Sequence, residues 1–425
     1  MNKNKIIIGI LIFGAGFYSS VFPAEIQDTL TWQECVIEAS GNNPDLAAAK
    51  EKIAQAKADK NIAKSVVLPQ ISSQLSGKKS KAASNDVANT YGYSVTGQQL
   101  LFDGLKTPAD IAAAAYTLKA QQYAYAVTSS DVLLNLRIAF STLLRAQELI
   151  ALTKEIAQRR KENLELVQAR YNAGREHKGA VLTAQADFAE AGFEVAQASR
   201  NLVLAQQGLA KALGRDVKNP PAVKGNFSIE KADREKPDCE LLANTTPLLK
   251  ELIAKKEAAR LGYRSAKADF FPQVYLSGSY GGTNDEWPPQ SEEWSAGVKV
   301  SLPIFEGGSR IAQTEKAKSS YVQTQDEERS GRDGVIYTLE KTWKDFQDAI
   351  DTVSVQEKFL EAAQERAKIA NAQYSSGLVT FDDWIIIENN LVNVKKAYLD
   401  AQANLLVAEA YWIQAKGGML EYVQK

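Results

Sequence analysis

The sequence contains few of the residues on which enzymes and metal sites most often depend. It has one histidine, His177, and two cysteines, Cys35 and Cys239, among 425 residues. Lysine and arginine number 50 and aspartate and glutamate 51, so the chain lacks the basic excess that nucleic-acid binding requires. No nucleophile stands in a recognisable pattern with a base. We therefore expect no catalytic residue, no metal or other cofactor, and no nucleic-acid partner.

Long hydrophobic runs are also absent after the first 18 residues. Lys3 and Lys5 precede an apolar run at 6–18, a pattern typical of a secretory signal peptide with cleavage near Ala24. The run is short for a membrane span of ~20 residues, which favours removal over the alternative of a membrane anchor. No cysteine follows directly to carry a lipid. The predicted signal peptide is 1–24, and the exported chain has no helical span.

What the sequence does contain is a long internal repeat. Pairs of like residues recur at one constant offset of 203 positions, which indicates one structural unit built twice. This period is far longer than that of solenoid proteins. The pairs include Pro44 and Pro247, Pro69 and Pro272, Phe102 and Phe305, Gly104 and Gly307, Tyr171 and Tyr374, Gly174 and Gly377, and Gly214 and Gly417.

The repeat divides the chain into segments. After the signal peptide, residues 25–214 form the first copy and 245–417 the second, and 418–425 form a tail. Residues 215–244 between the copies contain three prolines. Because proline interrupts regular structure, this stretch is predicted to be a linker or irregular structure, in the form of an equatorial segment between the copies.

Each copy has the same predicted order: a helix, two strands, a very long helix and a return helix. The strands alternate between polar and apolar residues with period two. The long helices follow the 3-4 spacing of a coiled coil and would span roughly 100 Å. The predicted segments are 43–67, 70–78, 91–102, 107–171 and 181–213 in the first copy, and 246–269, 273–281, 293–305, 309–374 and 384–412 in the second.

Four amphipathic strands are too few to seal themselves in a membrane. In lipid, backbone hydrogen-bonding groups must be satisfied within the protein, so a sheet must close into a barrel. Known barrels begin at eight strands. Several copies of the chain must therefore share one barrel, and three copies with twelve strands is the preferred arrangement. The paired helices would continue the same lumen as a second cylinder, which predicts a pore rather than a catalytic cleft.

Three motifs occur twice at the same offset. They are Leu-Pro-Gln at 68–70 with Phe-Pro-Gln at 271–273, Leu-Phe-Asp-Gly at 101–104 with Ile-Phe-Glu-Gly at 304–307, and Tyr-x-x-Gly at both 171–174 and 374–377. These motifs resemble those of the TolC-like outer-membrane efflux protein family. The resemblance covers nearly the whole mature chain and implies a mixed α and β membrane protein. In that fold a trimer forms a twelve-stranded β-barrel and a long periplasmic α-helical barrel of coiled-coil hairpins.

The resemblance also implies a location, partners and sites. The location is the outer membrane of a Gram-negative bacterium, in contact with its lipid, with a periplasmic extension. The partners are a periplasmic adaptor (membrane fusion) protein and an inner-membrane pump, either an ABC transporter or a proton-driven one. In the family, the tips near the Tyr-x-x-Gly turns form the periplasmic entrance and meet the adaptor. The tip residues here are Tyr171, Gly174, Arg175, His177, Tyr374, Gly377, Leu378 and Val379.

Aspartates just after the second tip narrow the entrance in members of the family. Asp383 matches the first of them, the second falls on Ile386, and Asp382 is a possible substitute. Three copies of Asp383 around an axis would attract cations. The alternative is that both aspartates only stabilise the start of a helix. His177 is likewise either a solvated turn residue or a pH-sensing or adaptor-binding one.

The predicted function is that of the outer-membrane channel component of a tripartite efflux or type I secretion system. Such a component conducts substrate passively from the adaptor and pump to the exterior. The alternative is a secreted coiled-coil structural or adhesion protein, which would explain the helices but not two matching pairs of amphipathic strands.

The two cysteines lie in matching regions of the two copies. Equivalent points of neighbouring repeats should lie well apart around a wide cylinder, whereas a disulfide needs α-carbons within ~7 Å. We therefore expect Cys35 and Cys239 to be separate thiols.

Overall fold

The structure of the protein, a computed structural model, describes residues 29–81, 87–227, 229 and 235–420. The predicted signal peptide and residues 421–425 of the predicted tail lie outside the described residues. The elements are, in chain order, β1 (Thr29–Leu30), α1 (Trp32–Asn42), α2 (Pro44–Ser65), β2 (Gln70–Lys81), β3 (Val87–Phe102), α3 (Lys106–Asn172), α4 (Lys178–Leu213), β4 (Ala222–Val223), α5 (Cys239–Ala243), α6 (Pro247–Ala268), β5 (Gln273–Asn284), β6 (Glu293–Ser301), α7 (Ser309–Ser376) and α8 (Phe381–Ala415).

The short helices that lead into the strands begin alike in the two copies, with proline in the first turn. Before α2, the side-chain oxygen of Asn43 accepts hydrogen bonds from the backbone N–H groups of Asp45 and Leu46. α6 begins at the equivalent proline, Pro247. Proline suits this position because the N–H that it lacks would have no helical partner. Both helices end shortly before the next proline, as predicted.

The four long strands form one antiparallel sheet in the order β2, β3, β5, β6. β3 of the first copy pairs with β5 of the second, so the sheet joins the copies, and β2 and β6 are its edges. The predicted alternation is confirmed, because Ile71, Leu75, Val298 and Val300 are exposed on a single face. The sheet therefore offers an apolar surface and two open edges.

β6 is shorter than predicted. The prediction of a strand over 293–305 is wrong for its last four residues, because β6 ends at Ser301. Pro303 has no N–H to donate to a neighbouring strand, so it ends the ladder. The first copy has Leu100 at the equivalent position, and β3 continues to Phe102. The other three strands extend beyond their predicted limits at the ends away from the helices.

The two longest helices span most of the molecule. α3 has 67 residues and α7 has 68, so each is roughly 100 Å long. α3 packs against α2 and α4 of its own copy and against α6 and α8 of the other. α4 and α2 meet end to end, where Asn43 Nδ2 donates a hydrogen bond of 3.0 Å to the carbonyl oxygen of Ala212. This contact stacks the two short helices α2 and α4 end to end beside the long helix α3. None of the described helices is long and apolar enough to cross a membrane.

The largest apolar core lies where α1, α3 and α4 meet, and the segment between the copies helps to cover it. β4 pairs in parallel with β1, and the Gln147 side chain holds Val223 through hydrogen bonds of 2.9 and 3.1 Å. α5 packs against α7. The expectation that 215–244 is irregular is wrong for these two elements, which long-range contacts hold in place. Core residues include Cys35, Val132, Leu136, Phe140, Leu143, Leu209 and Leu213.

Both cysteines are buried and free, which confirms the prediction of two separate thiols. Burial raises the pKa of Cys35 to about 12. Burial also raises the pKa of Cys239. Both side chains are therefore protonated thiols at neutral pH.

Candidate functional site

The tips of the two copies are helical hairpin turns that depend on glycine. Gly174 and Gly377 have φ angles of +71° and +80°, in the left-handed region that glycine adopts without strain. One residue later, the N–H of Arg175 donates to the carbonyl oxygen of Arg170 at 2.8 Å, and the second tip has the same bond after Gly377. These bonds satisfy the last carbonyl groups of α3 and α7. The doubled Tyr-x-x-Gly motif thus ends both long helices.

Three aromatic rings fill the second tip. The rings of Tyr374 and Trp384 stack with centroids 4.2 Å apart and planes 6° from parallel. Phe381 meets both rings edge-on, at 6.3 and 6.1 Å. All three side chains are buried. Aromatic pairs in such geometries add to the stabilisation that burial alone provides.

A polar contact joins the first tip to the second. The hydroxyl of Tyr374 donates a hydrogen bond of 2.9 Å to Glu176 Oε2. Arg170 Nη1 donates to the carbonyl oxygen of Tyr374 at 2.8 Å, and its guanidinium lies 4.5 Å from the centre of the tyrosine ring. Burial, and then the bond to Glu176, raise the pKa of Tyr374 above its usual range. The hydroxyl is therefore a hydrogen-bond donor at neutral pH.

The two tips form one packed unit, although they are not equivalent. Residues of both copies share a single apolar cluster, and Tyr374 is buried in it. Tyr171, its counterpart in the repeat, is exposed. The difference follows from the neighbours, since the positions of Phe381 and Trp384 are taken by lysine and valine in the first copy. The cluster consists of Val167, Ala180, Val181, Ala184, Ala370, Tyr374, Phe381 and Trp384.

His177 caps the start of α4. Its Nδ1 accepts a hydrogen bond of 3.1 Å from the N–H of Ala180, and its side chain is otherwise exposed. Nε2 lies 3.8 Å from Glu176 Oε1. Arg175, two residues before His177, is exposed as well. Within the described part of the chain, no group of three or more His, Cys, Asp or Glu side chains could hold a metal ion.

Asp382 and Asp383 lie in the first turn of α8, and both are exposed. Thr380 caps this helix: its Oγ1 accepts from the N–H of Asp383 at 3.2 Å and donates to Oδ2 of the same residue at 2.7 Å. The structure thus gives Asp383 a role at the helix start, while its carboxylate still faces solvent. Leu378, just before the cap, is strongly exposed and Val379 is half-buried.

An ion pair between a buried carboxylate and a half-buried arginine lies one to two helical turns further from the tip, and sequence reasoning missed it. The carboxylate of Glu388, 1% exposed, accepts hydrogen bonds of 2.6 and 2.7 Å from the guanidinium of Arg159. Asn163 Nδ2 donates to the same carboxylate at 3.4 Å. Arg160, the next residue of α3, donates a hydrogen bond to Asn389 and lies at a seam position of the coiled coil. This charged seam residue is the sequence signal that could have pointed to polar contacts in this region. A charged residue at a seam position indicates a polar partner on the facing helix.

The two copies separately match one known protein family. The family described as "Outer membrane efflux protein" matches residues 36–215 and 240–418, which is most of the chain. The chain belongs to the outer membrane efflux protein family. The resemblance drawn from the doubled motifs is therefore confirmed. An efflux protein of this family lies in the outer membrane of a Gram-negative bacterium, with its helices extending into the periplasm.

Individual relatives are distant but span nearly the full length. The efflux protein is 24% identical to outer membrane efflux protein BepC of Brucella suis biovar 1, over 93% of this chain and 87% of BepC. It is 23% identical to outer membrane protein TolC of Escherichia coli strain K12, over 98% of this chain and 86% of TolC.

Solved structures share the fold of the efflux protein. A crystal structure of CusC superposes with a TM-score of 0.83 at 20% identity, covering 90% of this chain and 91% of that one. The outer membrane channel CmeC of Campylobacter jejuni gives 0.83 at 19% identity, covering 91% and 85%. The predicted TolC-like fold is confirmed.

Proposed function

We propose that this efflux protein is the channel component of a tripartite efflux or type I secretion system, and that it conducts substrate passively to the exterior. Three copies would supply twelve strands to one barrel. A periplasmic adaptor and an inner-membrane pump, either ABC-type or proton-driven, would deliver the substrate and the energy. The chain itself would catalyse no reaction.

One observation carries this proposal: the open-edged sheet and the joined tips lie at opposite ends of helices roughly 100 Å long. An apolar sheet face suits lipid, and helices of that length suit a duct across the periplasm. The alternative, a secreted coiled-coil structural or adhesion protein, has no use for the exposed apolar side chains of Ile71, Leu75 and Val300. In water such a patch promotes aggregation.

The tips are the proposed adaptor-docking surface. Leu378 and Tyr171 are exposed at the second and first tips, and Arg175 and His177 add polar groups beside them. Exposed apolar side chains rimmed by polar ones are typical of protein-binding surfaces. Gly174 and Gly377 would shape this surface, while buried Tyr374 would support it from within. Substituting Leu378 and Tyr171 by serine should reduce cross-linking of the efflux protein to its adaptor in intact cells.

Asp383 and Asp382 are the proposed constriction of the entrance. Both carboxylates are exposed at the start of α8, beside the second tip. A ring of three copies would concentrate cations at the entrance. Asp383→Ala should weaken the block of single-channel current by divalent cations, with Asp45→Ala, in the first turn of a distant helix, as the matched control. Unchanged block would leave Asp383 with the helix-start role alone.

The direct test of channel function is electrical. The purified mature protein should form heat-modifiable trimers in detergent and give discrete conductance steps in planar lipid bilayers. Its far-ultraviolet circular dichroism should be dominated by helix. A monomer that is soluble without detergent and gives no conductance would support the coiled-coil alternative instead.

A further inference from the structure

The end of the sheet farthest from the helices carries a cluster of lysines. Lys78, Lys79 and Lys81 lie in the last four residues of β2, and all three side chains are exposed. Among the described residues, none of their ammonium groups forms an ion pair. Because the helices extend into the periplasm, this end of the sheet faces the exterior.

The cluster belongs to the first copy alone. Residues 78–90 contain three lysines and one aspartate, whereas the equivalent residues 281–293 contain four acidic residues and no basic one. The ladder between β5 and β6 ends at Gly281, the equivalent of Lys78, whereas the ladder between β2 and β3 continues to Lys81. The first hairpin therefore carries its lysines roughly 10 Å further out along the strand direction.

Alternation along β2 places two of the lysines on the apolar face of the sheet. Residues two apart in a strand share a face. Lys79 and Lys81 thus lie on the face that carries the exposed side chains of Ile71 and Leu75. Lys78, between them and Leu75 in the sequence, points to the polar face. The two lysines therefore stand at the outer limit of the surface that suits lipid.

Aromatic side chains accompany the change from aliphatic residues to lysines on this face. Tyr93 lies opposite Leu75, and Tyr91 lies opposite Gly77, between Leu75 and the lysines. The Tyr93 ring also meets that of Tyr280, with centroids 6.4 Å apart. Aromatic girdles mark the interfaces of membrane barrels. The order aliphatic, aromatic, cationic is that of a passage from hydrocarbon to charged headgroups.

We propose that Lys79 and Lys81 bind the phosphate groups of a phosphorylated glycolipid in the outer leaflet of the membrane. An ammonium group offers three donors and binds phosphate as a point charge. The methylene stem of lysine can lie along apolar surface while the charge stays at the headgroups. The two residues are roughly 7 Å apart along the strand, so both ammonium groups can reach one headgroup.

The charge of the second copy restricts this site to the first. Asp285, Glu286, Glu292 and Glu293 lie in the equivalent hairpin and would repel a phosphate. We therefore expect one lipid per chain. The site requires only the outer-membrane location of the efflux protein, so it can fail while the channel function stands, and the reverse.

Native mass spectrometry of the whole mature chain in detergent tests the site, with lipid A that carries two phosphates as the probe. Each lysine near an anionic lipid contributes about a factor of five in affinity. Lys79→Gln with Lys81→Gln should therefore weaken binding by about tenfold or more. Lys79→Arg with Lys81→Arg keeps both charges and should bind like the wild type.

Two controls separate the site from the net charge. Lys50→Gln with Lys52→Gln makes the same change of charge on exposed side chains of α2, roughly 20 Å from the sheet, and should leave binding unchanged. Lys78→Gln, on the polar face, should weaken binding by less than about twofold, whereas Lys79→Gln alone should exceed that loss.

Three results would overturn the site: wild-type affinity in the Lys79 and Lys81 double variant, an equal loss in the Lys50 and Lys52 double variant, or full binding of the same lipid after its phosphates are removed. Displacement of the lipid by an equal concentration of inorganic phosphate would show that the lysines bind free anions, and the assignment to lipid would be wrong. If the expected losses are found but the protein gives no conductance, the lipid site stands and the channel function fails.

Discussion

The hydroxyl of Tyr374 donates a hydrogen bond of 2.9 Å to Glu176 Oε2, and this bond ties the end of α7 to the turn between α3 and α4. Tyr374→Phe keeps the ring on Trp384 but leaves the carboxylate without this donor. The loss should weaken the joint between the tips by about 1–2 kcal/mol. Hydrogen exchange should quicken at both tips, whereas Tyr171→Phe, at the exposed counterpart, should exchange like the wild type. Equal rates in both variants would contradict the joint.

Glu388 should contribute more to stability than any exposed acid on the same helix. Glu388→Ala removes a carboxylate that is 1% exposed together with two hydrogen bonds from Arg159, whose side chain is 35% exposed and can be rehydrated, so the cost should be about 1–3 kcal/mol. Asp400→Ala removes the acid of the half-buried pair with Arg145, in which both side chains are partly solvated, and should cost less than ~1 kcal/mol. Denaturant unfolding followed by helical ellipticity would compare them. Similar losses would show that burial of the pair is unimportant.

Gly214 ends α4 at the point where α4 meets the junction between α1 and α2. It has a φ of +79°, and an added Cβ would collide with the backbone of Asn42. Gly214→Ala should therefore cost the left-handed strain of about 1–2 kcal/mol plus a backbone displacement. Gly174→Ala has a similar φ but open space around it, so it should cost the strain alone. Thermal unfolding midpoints should rank Gly214→Ala below Gly174→Ala, and the opposite rank would refute the collision.

The Glu328 carboxylate should make the free energy of unfolding depend on pH in the acid range. Hydrogen bonding to Lys256 at 2.7 Å, with a further contact to Arg332, holds the pKa of this carboxyl below its ordinary value of 4.5. A lowered pKa in the folded state contributes stability that is present above the unfolded pKa and is lost as the pH falls through the folded one. Glu328→Gln should thus lower the free energy of unfolding at about pH 7 by on the order of 1 kcal/mol, and the difference should shrink as the pH falls below 4.5 and through the lowered pKa of the folded state. A difference that persists in acid would assign the effect to packing.

Much of the fold could be predicted because the repeat supplies each element twice. Prolines, alternation and 3-4 spacing located the helices and strands to within a few residues. The early end of β6 was also readable, since Pro303 stands where the first copy has Leu100. β4 and α5 could not be predicted, because such short elements form only when distant residues, Gln147 among them, hold them in place.

The candidate site could be predicted only in outline. The Tyr-x-x-Gly motifs located both tips, yet treating Tyr171 and Tyr374 as equivalent was an oversimplification. Their surroundings depend on the residues seven and ten positions later, which differ between the copies. The pairing of Arg159 with Glu388 joins residues more than 200 positions apart. Arg160 at a seam position could have indicated a polar contact there, but not which residues form it.

The parallel pairing of the short strands β1 and β4, which joins Leu30 to Val223, limits the order in which the exported chain can fold. A polypeptide that enters the periplasm amino end first cannot fix this strand until the first copy has passed through the translocon. The face of α3 that α8 covers waits still longer, until the final helix has been delivered. Until then this apolar surface of α3 stays exposed to water, which is unfavourable.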